Sequence, residues 1–287
     1  MYNIRRNIDL SKYSRFCVGG AAEYFFEPTN IDELVNFIKS KKYKEPLNVV
    51  GAGSNILFSD GLIEGTIIST KKLDKIVLKD NVISCDCGVL NLKLFNFAKK
   101  NHIGGFEFLG CIPGTIGGSC RLNAGCYGSE IKDILLDITT IDHNGNTKTF
   151  NNEQCNFSYR KTGLDNELIF LTANFKYTKF TEEKDIENKF NEMMEKKKQT
   201  QPIAEKTCGS TFINLPEMPA WKVIQELKLQ GVNFNGAEFS NKHANFLVNA
   251  GCKNSKPLMD LINLTIRRAK EELNVDLELE IKTVGNR

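Results

Sequence analysis

Two glycine-rich segments of the sequence could bind a phosphorylated ligand through their backbone. The first follows a short apolar strand and contains Gly51, Gly53, Ser54 and Asn55. Glycine permits conformations that aim successive backbone amides into one concavity, and such a concavity attracts an anion. The segment is not a dinucleotide-binding fingerprint, because Ile56 stands where the third glycine would be and no helix is predicted to follow. Taken alone, the segment is interpreted equally well as an ordinary tight turn.

The second segment, residues 106–130, holds six glycines together with apolar side chains such as Ile112 and Ile116. A long glycine-rich loop inside a domain is normally functional. A flexible surface loop is the alternative, but its side chains would be more polar. We therefore expect a long loop whose amides, with the hydroxyls of Thr115 and Ser119, wrap a second part of an extended, charged ligand.

Four isolated polar residues could take part in catalysis: Arg160, Ser210, His243 and Glu280. A lone residue of these types is usually a cap, a surface charge or part of a solvated strand face. Glu280, for example, alternates with apolar neighbours, which by itself predicts the wet face of a terminal strand. Spacing alone does not make any of the four catalytic.

The elements that must position these residues predict a mixed α+β fold rather than a doubly wound one. Asn30 and Glu33 are spaced as a capping box at the start of a helix. Asp80 and Asn81 indicate a hairpin, and Asn144 with Gly145 is the preferred pair for a two-residue hairpin turn. Further strands are predicted at 47–50, 65–70 and 168–178, and a helix is predicted to end before Gly104 and Gly105.

From Thr181 the composition becomes highly charged, which indicates a connecting helix over 181–202. Beyond it the sequence predicts a helix after Pro219, a long helix over 255–273 and a last strand over 275–284 that returns to an earlier sheet. The predicted domains are 1–70, 71–180 and 200–276, with the terminal strand, 277–287, returning to the second of them.

Composition excludes several classes of protein. The 287 residues are enough for about two folding units. The net charge of +3, with scattered lysines, disfavours nucleic acid as a partner, and no apolar stretch is long enough to span a membrane. The N-terminus lacks a secretory signal, so we expect a cytoplasmic protein. Nine cysteines without a CxxC pair, and three histidines, indicate neither a disulfide framework nor a metal site.

The motifs, taken together and in order, resemble the UDP-N-acetylenolpyruvoylglucosamine reductases, flavoenzymes of bacterial cell-wall synthesis. The resemblance extends over nearly the whole chain. Seven segments in register are very specific, although some would be weak singly. They are SRFCVGGAAEYFFEP, VVGAGSNILFSDG, GCIPGTIGGSCRLNAGCYGSE, FSYRKT, KKKQTQPIAEKTCGSTFIN, NKHANFLVNAG and LELEIKTVG.

The resemblance implies two N-terminal subdomains that bind FAD non-covalently in the manner of vanillyl-alcohol-oxidase-type flavoproteins, and a C-terminal α+β domain for the substrate. The short spacing after Arg160 matches the type that lacks a substrate-capping insertion. The implied cofactor-binding residues are Gly51, Gly53, Ser54, Asn55, Pro113, Gly114, Thr115, Gly117, Gly118, Asn123 and Gly125.

The implied reaction is the reduction of UDP-N-acetylglucosamine enolpyruvate by NADPH through FAD, giving UDP-N-acetylmuramate for peptidoglycan. By the resemblance, Arg160 and Glu280 stabilise the enolate and Ser210 supplies the proton. Tyr159, Lys198 and Asn214 match positions that face the substrate. The family commonly has a lysine where this chain has Ile213, so one phosphate contact is expected to be lost or replaced.

Other functions remain open to this sequence. An oxidase or dehydrogenase of the same cofactor-binding fold would need a base near the flavin instead of a serine acid. A catalytically inactive nucleotide-sugar-binding regulator would keep the pocket but not the activity. A dinucleotide-binding dehydrogenase is disfavoured by the missing glycine and by the order of the elements. We expect a monomer that acts on a small molecule, with neither nucleic acid nor membrane as a partner.

Overall fold

The computed structural model describes residues 2–177 and 180–285, in which helices and strands are mixed along the chain. The helices are α1 (Ile31–Ser40), α2 (Asn91–Lys100), α3 (Glu107–Cys111), α4 (Ile116–Arg121), α5 (Ile131–Ile134), α6 (Glu183–Thr200), α7 (Ala220–Glu226) and α8 (Lys256–Leu273). The strands are β1 (Arg5–Asp9), β2 (Ala21–Phe26), β3 (Leu47–Val50), β4 (Ile56–Phe58), β5 (Leu62–Ser69), β6 (Ile76–Lys79), β7 (Val82–Asp86), β8 (Gly125–Cys126), β9 (Ser129–Glu130), β10 (Leu135–Ile141), β11 (Thr147–Asn151), β12 (Ile169–Lys176), β13 (Thr207–Ser210), β14 (Ala237–Phe239), β15 (Phe246–Asn249) and β16 (Lys282–Val284).

The chain forms two compact units that alternate along the sequence. Unit 1 comprises residues 1–5, 25–52 and 66–196, and unit 2 comprises residues 6–24, 53–65 and 197–287. Strands β1, β2 and β5 and helix α6 each begin in one unit and end in the other. The subdomain boundaries expected at 70, 180 and 200 remain a prediction.

Unit 1 is built around a five-stranded antiparallel sheet in the order β11-β10-β12-β7-β6. Strand β12 has apolar residues on both faces and separates two cores. On one face Phe175 packs into a core with α2, α3 and α4. On the other, Leu171 packs with α1, where the Phe26 and Phe37 ring centroids are 4.0 Å apart. The near-continuous apolar run of this strand therefore reflects burial on both sides.

Local side-chain chemistry decides how the helices and turns of unit 1 begin. Helix α1 begins as predicted, since the Asn30 side chain accepts a hydrogen bond from the Glu33 amide at 2.9 Å. The hairpin between β6 and β7 is also confirmed. Its turn residues Asp80 and Asn81 have φ values of 49° and 62°, as a two-residue turn of this kind requires.

The hairpin between β10 and β11 forms, but the prediction of a two-residue turn is wrong. The Asp142 carboxylate accepts hydrogen bonds from the amides of Asn144 and Asn146, at 2.8 and 2.9 Å. Asn144 does not have a positive φ, whereas Gly145 has a φ of 84°. The acidic side chain therefore organises a longer loop with glycine at its one left-handed position among these residues.

Helix α6 confirms the predicted connecting helix. In unit 1 Ile186 is buried, and the Phe190 ring stacks on Phe95 with centroids 4.5 Å apart. The buried carboxylate of Glu107 also accepts a hydrogen bond from Lys189 at 3.3 Å. These contacts fix the first turns of a helix that would be too polar to be stable alone.

Unit 2 contains a three-stranded antiparallel sheet, β13-β15-β14, whose core includes residues of α7 and α8. Strand β16 pairs in parallel with β4, with Lys282 opposite Ile56. The prediction that the terminal strand returns to residues 71–180 is therefore wrong, as is its predicted length. Leu277 and Ile281 are buried in the core of unit 2, which fixes the segment there.

Helix α8 begins at a carboxylate from a distant part of the chain. Asp60 accepts hydrogen bonds from the amides of Ser255 at 2.7 Å and Lys256 at 3.0 Å. The first amides of a helix have no partner within it, and a negative charge at this end is favourable. Asp60 therefore caps the N-terminus of α8.

Candidate active site

The structure brings the two glycine-rich segments together within unit 1. A Cβ atom on Gly51 would lie 2.3 Å from the Oγ1 of Thr115, so only glycine fits at this contact. Gly117 is also tightly packed, since a Cβ there would lie 2.9 Å from the Cβ of Cys87, just after β7, and its amide donates to the Cys87 carbonyl at 2.8 Å. Gly118 differs, because the nearest atom to a Cβ there would be Thr115 Oγ1 at 3.7 Å. Gly51 and Gly117 are therefore packed against the protein, whereas Gly118 is accessible.

The second glycine-rich segment is not the long loop that its composition predicts, because it contains the short helices α3 and α4. The chain before α4 is held in place, since Ile116 donates to the Val89 carbonyl at 2.9 Å. The Ser119 hydroxyl exchanges hydrogen bonds with the buried Asn91 side chain at 2.8 and 3.1 Å. This hydroxyl is therefore engaged by the protein itself, while Pro113 is exposed and Gly114 half-buried.

Asn123, a predicted cofactor-binding residue, is fully buried. Its amide donates to Glu130 at 3.0 Å and to the Ser158 carbonyl at 3.1 Å, and its oxygen accepts from the Lys132 amide at 3.0 Å. Gly125 lies in the β8–β9 hairpin opposite Glu130. The side chain of Asn123 therefore connects this hairpin to the turn that carries Arg160.

Arg160 lies at the tip of a tight turn in unit 1. Ser158 and Lys161 exchange backbone hydrogen bonds of 2.9 and 3.2 Å across it. Arg160 has a φ of 56°, which is strained for a residue with a side chain, and its guanidinium carbon lies 5.0 Å from the centroid of the half-exposed Tyr159 ring. Hydrogen bonding by Lys132 is the largest cause lowering the pKa of Glu130, and the charge of Arg160 adds to it. Arg160 thus presents a cation near a carboxylate that stays ionised.

In unit 2 the first glycine-rich segment makes a tight turn at Gly53, whose φ is 69°. A Cβ there would lie 1.8 Å from the Tyr13 carbonyl oxygen, and the Gly53 carbonyl accepts from the Arg15 amide at 3.0 Å. The buried thiol of Cys208 donates to the same carbonyl at 3.6 Å. Burial raises the pKa of this thiol, so it acts as a neutral packing group rather than a nucleophile.

Ser210 and Glu280, two predicted catalytic residues, are connected through the backbone of unit 2. Ser210 ends β13 opposite Phe246, directly after Gly209, whose φ of 85° interrupts the regular pairing. The carbonyl of Thr211, the next residue, accepts a hydrogen bond from the Glu280 amide at 2.9 Å. The backbone of Glu280 therefore lies beside the residue that follows Ser210, and both Ser210 and Glu280 are half-buried.

His243 lies against the same part of the sheet. Its ring centroid is 4.7 Å from that of Phe246, and its Nδ1 accepts a hydrogen bond from the Asn245 amide at 3.3 Å. Burial lowers the pKa of His243, so the ring is neutral at pH 7.

Asn245 is a site residue that the sequence reasoning missed. Its side chain exchanges two hydrogen bonds with the Phe212 backbone, of 3.0 and 2.8 Å, and so fixes the segment after Ser210. The signal available in the sequence was one amide within the apolar run ANFLV.

The predicted substrate residues of unit 2 lie at the ends of helices. The Lys198 carbonyl, in the last turn of α6, accepts a hydrogen bond from Lys242 Nζ at 2.7 Å. Asn214 accepts from the Ala220 amide at 3.1 Å and so helps to begin α7. Lys242 was not singled out from the sequence, although a cation at a helix C-terminus is favourable.

Two further features bear on the class of protein. Among the described residues, no group of three or more histidine, cysteine, aspartate or glutamate side chains could hold a metal ion. Within residues 2–177 and 180–285, no helix has the length and apolar character needed to cross a bilayer.

Comparison with protein families defines the class of protein. Residues 22–151 match the family described as FAD binding domain. This range includes the exposed Gly118, and an exposed glycine, whose backbone a ligand can approach closely, fits the phosphates of a flavin dinucleotide. Residues 201–284 match UDP-N-acetylenolpyruvoylglucosamine reductase, C-terminal domain. The fold and the site are those of a FAD-containing oxidoreductase.

Relatives over the full length define the family. The chain is 42% identical over 282 residues to UDP-N-acetylenolpyruvoylglucosamine reductase of Rickettsia massiliae, covering 98% of this chain and 95% of the relative. It is 41% identical over 285 residues to that of Rickettsia bellii, covering 98% and 93%. The crystal structure of the reductase from Thermus caldophilus matches with a TM-score of 0.82 at 27% identity, over 99% of both chains. The chain belongs to the UDP-N-acetylenolpyruvoylglucosamine reductase family, which confirms the predicted family, α+β fold class and FAD cofactor.

Proposed function

We propose that this chain reduces UDP-N-acetylglucosamine enolpyruvate to UDP-N-acetylmuramate with NADPH as the hydride donor, and so supplies a precursor of peptidoglycan. The observation that supports the proposal is the hydrogen bond from the Glu280 amide to the carbonyl of Thr211, the residue after Ser210. The reduction of an enol ether needs a proton donor close to the group that orients it, and we propose Ser210 and Glu280 for these two roles.

FAD, held by this chain, would supply the hydride-transfer chemistry that connects NADPH with the terminal alkene carbon of the substrate. The chain's part is to bind this cofactor with backbone amides near Gly51, Gly53 and Gly118, supported by Ser54 and Thr115. The backbone can come close to the cofactor at three further glycines, which are Gly114, Gly117 and Gly125. Pro113, in the same segment as Gly114, is exposed. Asn123 contributes indirectly, because its side-chain hydrogen bonds hold the surrounding loops.

Arg160 stabilises the negative charge that develops toward the substrate carboxylate. An arginine guanidinium presents a planar, cationic fork of donors that matches a carboxylate. The backbone hydrogen bonds between Ser158 and Lys161 hold the backbone of Arg160 in place before the reaction begins. Preorganised charge of this kind is commonly the largest contribution to catalysis.

Ser210 delivers the proton to the carbon next to the carboxylate. The positive φ of Gly209 and the register shift just before Ser210 set the backbone from which this hydroxyl projects. Glu280 orients this hydroxyl and the developing enolate, and its backbone is held next to Thr211. Proton transfer by a positioned side chain contributes about 10²–10⁴-fold to a rate.

Tyr159, Lys198 and Asn214 bind the nucleotide-sugar part of the substrate. Lys198 supplies a point charge for the diphosphate. Ile213 cannot replace the lysine that is common in the family. Lys242, whose Nζ donates to the Lys198 carbonyl at 2.7 Å, supplies a second cation beside Lys198. We also propose that the enzyme is a cytoplasmic monomer without nucleic-acid or membrane partners. Sedimentation of the purified protein tests its oligomeric state.

The experiment that tests the proposal is an anaerobic titration followed by the visible spectrum. NADPH is expected to bleach the flavin, and UDP-N-acetylglucosamine enolpyruvate is expected to restore it. A flavin that only oxygen restores would support an oxidase of the same fold. If the protein binds both compounds and the flavin spectrum does not change, the result would support an inactive nucleotide-sugar-binding regulator.

A further inference from the structure

We infer that Asn55 is a positioning residue for Glu280, and that it couples the cofactor-binding turn to the carboxylate used in the second half of the reaction. This inference rests on the proposed function, because it takes Glu280 to act on the enolpyruvyl substrate. It differs from a cofactor-binding role for Asn55, since the side chain would act through the protein.

The contact is a direct hydrogen bond within unit 2. Asn55 Nδ2 donates to the backbone carbonyl of Glu280 at 2.8 Å. The backbone carbonyl of Asn55 accepts from the Lys282 amide at 3.0 Å. Asn55 therefore binds the residues on both sides of Ile281, whose side chain is buried.

The other side of Glu280 is fixed by the strand that carries Ser210. The Glu280 amide donates to the Thr211 carbonyl at 2.9 Å. Thr211 is itself fully buried, and its hydroxyl accepts from the Leu247 amide at 3.0 Å. The Glu280 backbone thus has one rigid attachment beside the proton donor and a second attachment at Asn55.

The position of Asn55 in the sequence connects its hydrogen bond to Glu280 with catalysis. Gly53 and Ser54, the residues just before it, belong to the turn proposed to bind FAD. A shift of this turn would move the amide of Asn55, and with it the carbonyl and then the carboxylate of Glu280. A displacement of about 1 Å at a reacting group can cost about 10²-fold in rate.

The first test uses Asn55→Ala and Asn55→Asp, each with saturating FAD, and measures the two half-reactions separately by stopped flow. Bleaching by NADPH is expected to stay within about twofold of wild type, whereas reoxidation by the enolpyruvyl substrate slows by about 10²-fold. Asn254→Asp, an exposed position before α8, is the charge-matched control and should change neither rate.

The second test needs neither cofactor nor activity. Hydrogen exchange of the protein without FAD is expected to be about fivefold faster over residues 277–285 in Asn55→Ala, because one hydrogen bond to this segment is lost. The Asn254→Asp control should exchange at the wild-type rate there. Unchanged protection in Asn55→Ala would overturn the inference, whatever the variant does to FAD affinity.

A double variant separates this inference from the proposed function. If Asn55 acts through Glu280, Asn55→Ala combined with Glu280→Gln should reoxidise no more slowly than Glu280→Gln alone. Additive losses would overturn the inference while leaving Glu280 in its role. Normal reoxidation in Glu280→Gln would instead refute the role proposed for Glu280.

Discussion

The backbone at Gly51 approaches Thr115 so closely that a Cβ atom at Gly51 would lie 2.3 Å from the threonine Oγ1. This contact joins the end of β3 to the start of α4, which are 64 positions apart by residue number. Gly118, one turn further along α4, has no such neighbour. Gly51 is therefore required for packing within the protein, whereas Gly118 has room for a side chain, and we propose that its exposed backbone faces the cofactor.

This difference predicts opposite effects on stability. Gly51→Ala should lower the melting temperature of the protein without FAD, because the new methyl group collides with Thr115. Gly118→Ala should leave the free energy of unfolding unchanged or raise it by about 0.5–1 kcal/mol, since alanine is more favourable than glycine in a helix. Calorimetry of the protein without FAD measures both effects.

Both glycine variants should bind FAD less tightly, which flavin fluorescence measures. Normal FAD affinity in Gly118→Ala would show that this glycine does not face the cofactor.

Ser210→Ala should separate the two halves of the reaction. The variant keeps the backbone that positions Glu280 but cannot donate a proton, so turnover is expected to fall about 10²–10⁴-fold. Bleaching of the flavin by NADPH should continue at the wild-type rate. Steady-state turnover and single-turnover bleaching measure the two quantities. Intact turnover would refute the role of Ser210 as proton donor.

Arg160→Gly should lose activity without losing stability. Glycine removes the guanidinium but adopts a φ of 56° without strain, so the change in the free energy of unfolding should stay within about 1 kcal/mol. Turnover should fall by at least about 10²-fold, because the charge on the enolate is no longer stabilised.

Lys228→Gly is the matched control for Arg160→Gly. Lys228 is exposed and has the same φ of 56°, so the variant should keep full turnover. Urea unfolding and steady-state kinetics of both variants make the comparison. A marked loss of stability in Arg160→Gly alone would indicate that Arg160 is a structural residue.

His243 should make the protein less stable in mild acid. Its folded-state pKa lies below the ordinary value of 6.5, so just below that pH the unfolded chain binds a proton that the folded chain does not. Stability should therefore fall as the pH falls through this range. His243→Asn keeps an acceptor for the Asn245 amide but cannot titrate.

Urea unfolding at about pH 7.5 and about pH 5.5 should show a smaller loss in His243→Asn than in the wild type. Equal losses would mean that other groups dominate the acid sensitivity.

Local chemistry explains which elements could be predicted from the sequence. Asn30 and the Asp80–Asn81 pair have their partners within a few residues, so their patterns predicted α1 and the β6–β7 hairpin correctly. Asn144 and Gly145 misled the prediction, because the nearby Asp142 carboxylate binds the loop amides. Helices α3 and α4 were missed because glycine disfavours helices unless tertiary packing overrides its propensity.

The site could be predicted only in part for a similar reason. The roles of Arg160, Ser210 and Glu280 came from a resemblance, since a single polar residue has no local signature. The hydrogen bond between Asn55 and Glu280 joins positions 225 residues apart. No local pattern encodes such a pairing, and the same holds for β16 and its partner β4.

The pairing of β16 with β4, and the capping of α8 by Asp60, have a consequence for synthesis of the chain. Residues 53–65 emerge from the ribosome long before α8 and β16 exist, because Asp60 pairs with an amide 195 residues later and Ile56 pairs with Lys282, at 282 − 56 = 226 residues later. Unit 2 therefore completes its fold only after translation has reached residue 284. Until then, the apolar strand ILF at 56–58 lacks the strand with which it pairs, and an unpaired apolar strand of this kind favours aggregation during folding.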